Sequence, residues 1–141
     1  MWRGNLSNEN ERLKNFSKNS KKIIKLFKML KQKKIVKEIY LFPYTKSFLR
    51  HSISHNFFKI ICIYRNPIER EYERSMTIFK KLKFLAIRPF GGNLKLARKH
   101  SLKYLLNYSI NNKRISKIIL SCSKKTQIEE IVCYCNEKKD F

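Results

Sequence analysis

Thirty-three Lys and Arg against ten Asp and Glu leave this 141-residue chain at a formal +23. Charge of that density repels itself and weakens a compact state unless an anionic partner neutralises it. Yet 43% of the residues are apolar and 13% are aromatic, too many for a disordered basic tail. Together the two facts require amphipathic elements, apolar on one face and basic on the other, around the modest core of a single domain. Nucleic acid is the first anionic partner to consider, because its phosphates bind Lys and Arg with release of condensed counterions. An anionic lipid surface is the second.

Lys, Asn, Ile, Phe and Tyr are abundant, whereas Gly, Pro and Ala are scarce. A- and T-rich codons encode that balance, which points to an AT-biased genome such as an organelle's or a parasite's. The most apolar stretch, Phe57 to Tyr64, is broken by Lys59 and is far short of the roughly 20 residues of a membrane helix. No membrane association is expected from it. The N-terminus lacks an apolar signal region and carries Glu9 and Glu11, so it reads neither as a signal nor as a transit peptide. Four Cys are too few for a disulfide scaffold, and free thiols in a reducing compartment are expected.

Residues 1–19 are polar and read as a basic N-terminal arm that orders on its partner. Residues 20–141 read as one helical domain. Ser20 can cap a helix in which Ile23, Ile24, Leu26, Phe27 and Leu30 recur at helical spacing, with Lys21, Lys22, Lys25 and Lys28 largely opposite. A basic corner at Lys31 to Lys34 interrupts the pattern; Ile35, Val36, Ile39 and Tyr40 resume it, and Pro43 stops it. From residue 43 to 65 the chain is hard to read: Thr45 to Ile53 fits a short helix, and Phe57 to Tyr64 is an apolar run without a decisive period. Asn66-Pro67-Ile68-Glu69 combines a capping Asn, Pro at the first helical position and Glu at the third. It predicts a helix to about Lys81 that buries Ile68, Tyr72, Met76 and Phe79. Leu82 to Phe90 reads as a strand, Gly91-Gly92 as a hairpin turn, and Asn93 to Ala97 as the return strand. Ser101 can cap a helix carrying Leu102, Leu105, Leu106 and Ile110. A last helix, from about Ser116 or Thr126 to Asn136, would bury Ile118, Ile119, Ile128, Ile131 and Val132. The expected fold is mainly α, a helical bundle with a protruding basic β-hairpin at about 82–97.

That hairpin is the sharpest candidate for function. Lys80, Lys81, Lys83, Arg88, Lys95, Arg98 and Lys99 flank its turn, with Phe84 and Phe90 interleaved. A basic ribbon can enter a groove or track a backbone, and its aromatics can stack on unpaired bases. His51, His55, Cys133 and Cys135 would make a two-plus-two zinc set, but the usual Cys spacing is absent, and solvated His and half-buried Cys fit better. Glu69, Glu71 and Glu73 fall around a helix rather than on one face, so no metal or other cofactor is expected. Without a nucleophile or phosphate-loop pattern, and with so few carboxylates, the chain does not read as an enzyme.

From Asn66 to Leu106 the chain resembles the small-subunit ribosomal protein S-seven family. Members have an Asn-Pro-Leu-Glu helix start, a basic strand ending in Val-Gly-Gly, a return strand, a basic run and a further helix. Here Asn66-Pro67-Ile68-Glu69, Phe90-Gly91-Gly92 and Arg98-Lys99-His100 through Leu106 take those places. Upstream, Leu26 to Lys34 followed by Ile39-Tyr40 is similar to the family's first helix, basic corner and second helix. The family's Gly at that corner is missing, the return strand is shorter, residues 43–65 diverge, and the closing C-terminal helix is not present. The resemblance implies a divergent mitochondrial, organelle-encoded member acting on the ribosome in the matrix. It implies a structural protein that organises small-subunit rRNA in the head beside neighbouring head proteins, with a ribbon near exit-site tRNA and mRNA. On that analogy Lys83, Arg88, Lys95, Arg98 and Lys99 would be ribbon contacts, and Lys21, Lys22, Lys33 and Lys34 would meet rRNA helices. Two rivals stay open: another basic nucleic-acid binder (a different ribosomal protein or a DNA-packaging protein), and a membrane-surface amphipathic protein.

Overall fold

The computed structural model describes residues 8–91 and 99–137. In chain order the elements are α1 (Glu9–Gln32), β1 (Tyr40–Leu41), α2 (Lys46–Ile53), β2 (Ile60–Tyr64), α3 (Glu73–Ile78), β3 (Lys83–Ile87), α4 (Leu102–Ile110), β4 (Ile115–Ile119) and α5 (Lys125–Glu137). The strands form one four-stranded parallel sheet in the order β1-β2-β3-β4. The fold is therefore mixed α/β and not the helical bundle with a protruding hairpin that the sequence predicts.

The physical reason lies in how parallel strands look in sequence. A strand covered on both faces reads as a short continuous apolar run, without the alternation that distinguishes a strand from a helix. In Ile60-Ile61-Cys62-Ile63-Tyr64 and Lys83-Phe84-Leu85-Ala86-Ile87 the three middle residues are all buried. Parallel neighbours also need crossovers of a dozen or more residues, and β2, β3 and β4 are spaced accordingly. β3 takes β4 as a parallel partner, with Leu85 opposite Lys117, Ala86 opposite Ile118 and Ile87 opposite Ile119. The segment around Ser116 is thus a strand, and only the start near Thr126 opens a helix. The turn after β3 spans Arg88 to Gly91, closed by the Gly91 N–H donating to the Arg88 carbonyl at 2.9 Å. Gly91 has φ 74°, where a Cβ would be strained. Gly92 and the expected return strand, Asn93 to Ala97, lie outside the described residues.

Two compact units share the chain: residues 1–63 with 81–83, and residues 64–80 with 84–141. In the first, α1 begins at Glu9, so residues 9–19, read from sequence as part of the arm, are helical. Phe16 is buried, with ring centroids 5.1 Å from Phe48, 5.4 Å from His55 and 5.8 Å from His51. Thr45 caps α2, its Oγ1 accepting the Phe48 N–H at 3.2 Å. Leu49, Ile61 and Ile63 are wholly buried, and Phe58 and Leu82 nearly so. Burial also pushes the Cys62 thiol up to about 11.

In the second unit Leu106, Ile131 and Tyr134 pack with Phe90, Leu102, Leu120 and Cys122. Ser101 caps α4, its Oγ accepting the Tyr104 N–H at 3.2 Å. Asn66 caps as well, accepting from Ile68 N at 3.1 Å and Glu69 N at 2.9 Å. Those bonds close an Asx turn, however, and the helix begins only at Glu73, six residues past the predicted Pro67 start. Tyr72 and Met76 are buried as expected, whereas Ile68 is 71% exposed, and Ile119, Ile128 and Val132 are about half exposed instead of inside.

Candidate nucleic-acid interface

The 24-residue α1 holds a continuous cationic surface. Arg12, Phe16, Ser20, Ile23 and Phe27 step at intervals of four, four, three and four, which keeps them on one face. Arg12, Phe16 and Ser20 are buried, and Ile23 and Phe27 half-buried. Lys14, Lys18, Lys21, Lys25 and Lys28 step by four, three, four and three on the opposite side, and all are exposed. At about 1.5 Å per residue this ridge of ammonium groups runs roughly 21 Å. Among the described residues none of the five forms an ion pair. Lys22, Lys31, Lys33 and Lys34 extend the exposed charge around and past the helix end.

That end has a defined geometry. Lys34 sits in the left-handed region at φ 56°, and Ile35 N donates back to Leu30 O at 3.0 Å. This is the six-to-one bond of a Schellman motif, with Lys where Gly is usual. The predicted basic corner exists, and a helix end makes it. The pattern at Ile35 to Tyr40 belongs to the connection into β1 and not to a continuing helix.

The ribbon residues are not brought together in the same way. Lys80, Lys81 and Lys83 are exposed at the start of β3, and Arg88 follows its other end, about 17 Å along an extended strand from Lys83. Arg88 is already engaged: its Nη1 lies 3.3 Å from Glu69 Oε1, its Nη2 donates to Gly91 O at 3.0 Å, and its Cζ is 4.7 Å from the Tyr64 ring centre. Lys99 is exposed. Lys95 and Arg98 lie outside the described residues.

Around Arg88 the second unit builds a polar network at the carboxyl ends of β2 and β3. Asn66, fully buried, donates from Nδ2 to Glu69 at 2.6 Å and to Arg88 O at 2.9 Å. The left-handed backbone of Arg88, φ 56°, belongs to this clasp. Arg65 pairs with Glu73 at 3.1 Å and lies over Tyr108 with Cζ 4.9 Å from the ring centre. Ser109 Oγ ties the Arg65 carbonyl at 2.9 Å. Burial raises the Glu73 pKa, but hydrogen bonds from Tyr108 and Arg70 and the charges of Arg70 and Arg65 outweigh it and hold the carboxyl below its ordinary value. Burial and the Glu73 contact together push the Tyr108 phenol up.

His51 Nε2 is 2.8 Å from Ser17 Oγ, and both His51 and His55 edge onto Phe16. Cys133 and Cys135 are exposed free thiols on α5. Among the described residues no group of three or more His, Cys, Asp or Glu is placed to hold a metal, and no helix is long and apolar enough to cross a membrane. Comparison with protein-family models, with curated proteins and with solved structures returned no match.

Sequence reasoning passed over Lys14 and Lys18 because Asn and Ser between residues 5 and 20 suggested an arm. The signal was available: stepping back from Phe27 by helical intervals reaches Phe16 and Arg12. It also passed over Arg12 itself, the buried cation of the first unit.

Proposed function

We propose that the chain is an RNA-associated structural protein whose principal phosphate-binding surface is the lysine ridge of α1. The observation that carries this is the placement of five exposed lysines, without ion pairs among the described residues, on one helix face directly opposite the buried face. Phosphates spaced along a strand neutralise such a ridge and release counterions, which relieves the self-repulsion of a +23 chain. Folded RNA fits this mode, since it is recognised largely by backbone and shape. The role proposed is the coarser one, RNA association, because the bundle and ribbon behind a place in the ribosomal head are not this fold.

Fluorescence anisotropy with a small-subunit rRNA fragment, a random DNA duplex and anionic vesicles tests it, together with co-sedimentation of the chain with small ribosomal subunits. Tight, steeply salt-dependent binding to the rRNA fragment supports the proposal. Equal affinity for the DNA duplex would make the chain a generic polyanion binder, and binding to vesicles alone would make it a membrane-surface protein.

The topology favours a second reading. Sequential parallel βα units carry ligand sites outside the carboxyl ends of their strands, where Tyr64, Arg65, Asn66 and Arg88 stand. A small anionic ligand there would have to displace Glu69 from Arg88, and phosphate-dependent quenching of the Arg88–Glu69 contact in NMR spectra would detect it.

A further inference from the structure

A pocket of about 760 Å³ opens in the first unit, lined by Arg12, Phe16, Phe27, Tyr40, Phe42, Tyr44 and neighbours. That size falls within the roughly 300–1,000 Å³ of small-molecule sites. It lies where β1 gives way to Phe42-Pro43-Tyr44, at the carboxyl end of the sheet's edge strand. Its walls are aromatic rings: Phe42 and Tyr44 stand 4.2 Å apart between centroids, and Phe27, Tyr40, Phe42 and Tyr44 are each only half-buried.

Two features single it out from ordinary core packing. Arg12 has a side chain only 9% exposed, and its Nε is buried without a hydrogen-bond partner. Its other nitrogens are used, Nη1 on Glu9 at 2.7 Å and Nη2 on the Pro43 carbonyl at 3.1 Å. A buried donor lacking an acceptor is unfavourable; this one has almost no exposed surface, so a ligand supplies the acceptor as the Arg12 side chain turns toward the pocket. Tyr44, meanwhile, is held at φ 62°, a region that bulky residues avoid. That backbone fixes a tyrosine ring on the pocket wall where glycine would be the relaxed choice.

We propose that this pocket binds a nucleobase. A planar heteroaromatic ring would stack on the Phe and Tyr walls, and a base carbonyl or ring nitrogen would accept the Arg12 Nε–H. Because Glu9 already neutralises Arg12, the pocket calls for a neutral acceptor and not for a phosphate or carboxylate. An aliphatic ligand would leave the donor unmet. The base has two possible sources, a free nucleotide or an unstacked residue of a single strand. The site goes beyond the lysine ridge and stands or falls apart from it.

Calorimetric titration of the full chain in about 1 M NaCl, where charge contacts are screened to about 3 Å, separates the two. One arm compares adenosine monophosphate with ribose 5-phosphate; the other compares an oligouridylate with an abasic polymer of equal length. A preference of about tenfold or more for the base-bearing member in either arm is expected, and the arm in which it appears names the source. Tyr44→Gly relaxes the backbone but removes the ring that faces the Arg12 guanidinium, Cζ 5.2 Å from its centre, and Phe42, so it should stay folded by circular dichroism, with at most a lower melt, and lose that preference. Arg12→Lys, which keeps the charge but not the Nε donor, should weaken the preference several-fold. Equal binding of base-bearing and baseless probes in both arms overturns the proposal, as does an undiminished preference in folded Tyr44→Gly. Salt-dependent binding of the abasic polymer at low salt would persist in either event and reports on the ridge alone.

Discussion

The two units treat nearly equal numbers of cations in opposite ways. The first carries seventeen Lys and Arg against three Glu, the second sixteen against six Glu and one Asp. Among the described residues the first unit forms one ion pair, Arg12 with Glu9. The second forms five, with Arg65, Arg70, Arg88, Lys103 and Lys125 all engaged. In the second unit charge is turned inward, onto Glu69, Glu73 and the faces of Tyr64 and Tyr108. In the first it is lined up outward on a helix. Counting basic residues therefore says that a polyanion is wanted; only the placement of the acids says where.

The largest effect should come from the ridge. Replacing Lys14, Lys18, Lys21, Lys25 and Lys28 by Gln should flatten the dependence of log K on log salt by about 3.5 for a single strand, about 0.7 for each lost phosphate contact. The same measurement on Arg70→Gln, Arg88→Gln and Lys99→Gln combined should change the slope by about 1 or less. Equal changes in the two variants would erase the distinction between the units.

Next in size is a stability effect confined to the second unit. Asn66→Ala removes the Asx-turn acceptor of Ile68 and Glu69 and one of the two bonds to the Arg88 carbonyl, at a cost of about 2 kcal/mol, read as a urea midpoint lower by about 1 M. A variant with an unchanged midpoint would show that the clasp is dispensable.

Acid should act on both units. Burial raises the Glu9 pKa, and hydrogen bonds from Thr45 and Ser47 with the Arg12 guanidinium outweigh it, so Glu9, like Glu73, lies below its ordinary 4.5. A carboxyl with a lowered folded pKa adds stability that is present above the unfolded value and lost as pH falls through the folded one. The contribution of these two carboxyls to the urea midpoint should thus be constant above pH 4.5 and decline below it. Glu73→Gln should shrink that decline only in part, since Glu73 is 32% exposed and screened by solvent. A midpoint that rises on acidification would reverse the assigned sign. Smallest of all, Lys34→Gly should raise stability by up to about 1 kcal/mol through relief of the left-handed backbone, visible as a melting shift of a few degrees, while removing one cation from the first unit.

Signals that are local in the chain were legible in the sequence. Ser101 and the break at Lys31 to Lys34 do locally what their chemistry indicates, and Thr45 caps the short helix that its segment suggested, whereas Asn66 closes an Asx turn and not the helix start it indicated. Strand pairing is not local. Nothing within Lys83 to Ile87 says that its partner is Ile115 to Ile119 and not the residues just past Gly91, and β1 is only two residues long. The Gly-Gly signal favoured the nearer partner, and the tertiary contact chose the farther one. The lysine ridge was half legible, since its C-terminal three members sat in a recognised helix while Lys14 and Lys18 were hidden by polar neighbours. The pocket was not legible, because Arg12 and Tyr44 meet only once α1 and the end of β1 are side by side.

The cysteines turn the contrast between units into a clock. Cys133 and Cys135 lie open on α5, whereas Cys62 is sealed within β2 with its thiolate disfavoured. A thiol reagent at neutral pH will consume the outer sulfurs at once, reach half-buried Cys122 of the second unit later, and reach Cys62, as the slow phase, only when the first unit opens. The slow phase of labelling is then a built-in timer of that unit's opening, and RNA or a nucleotide seated there would lengthen it without touching the fast phase.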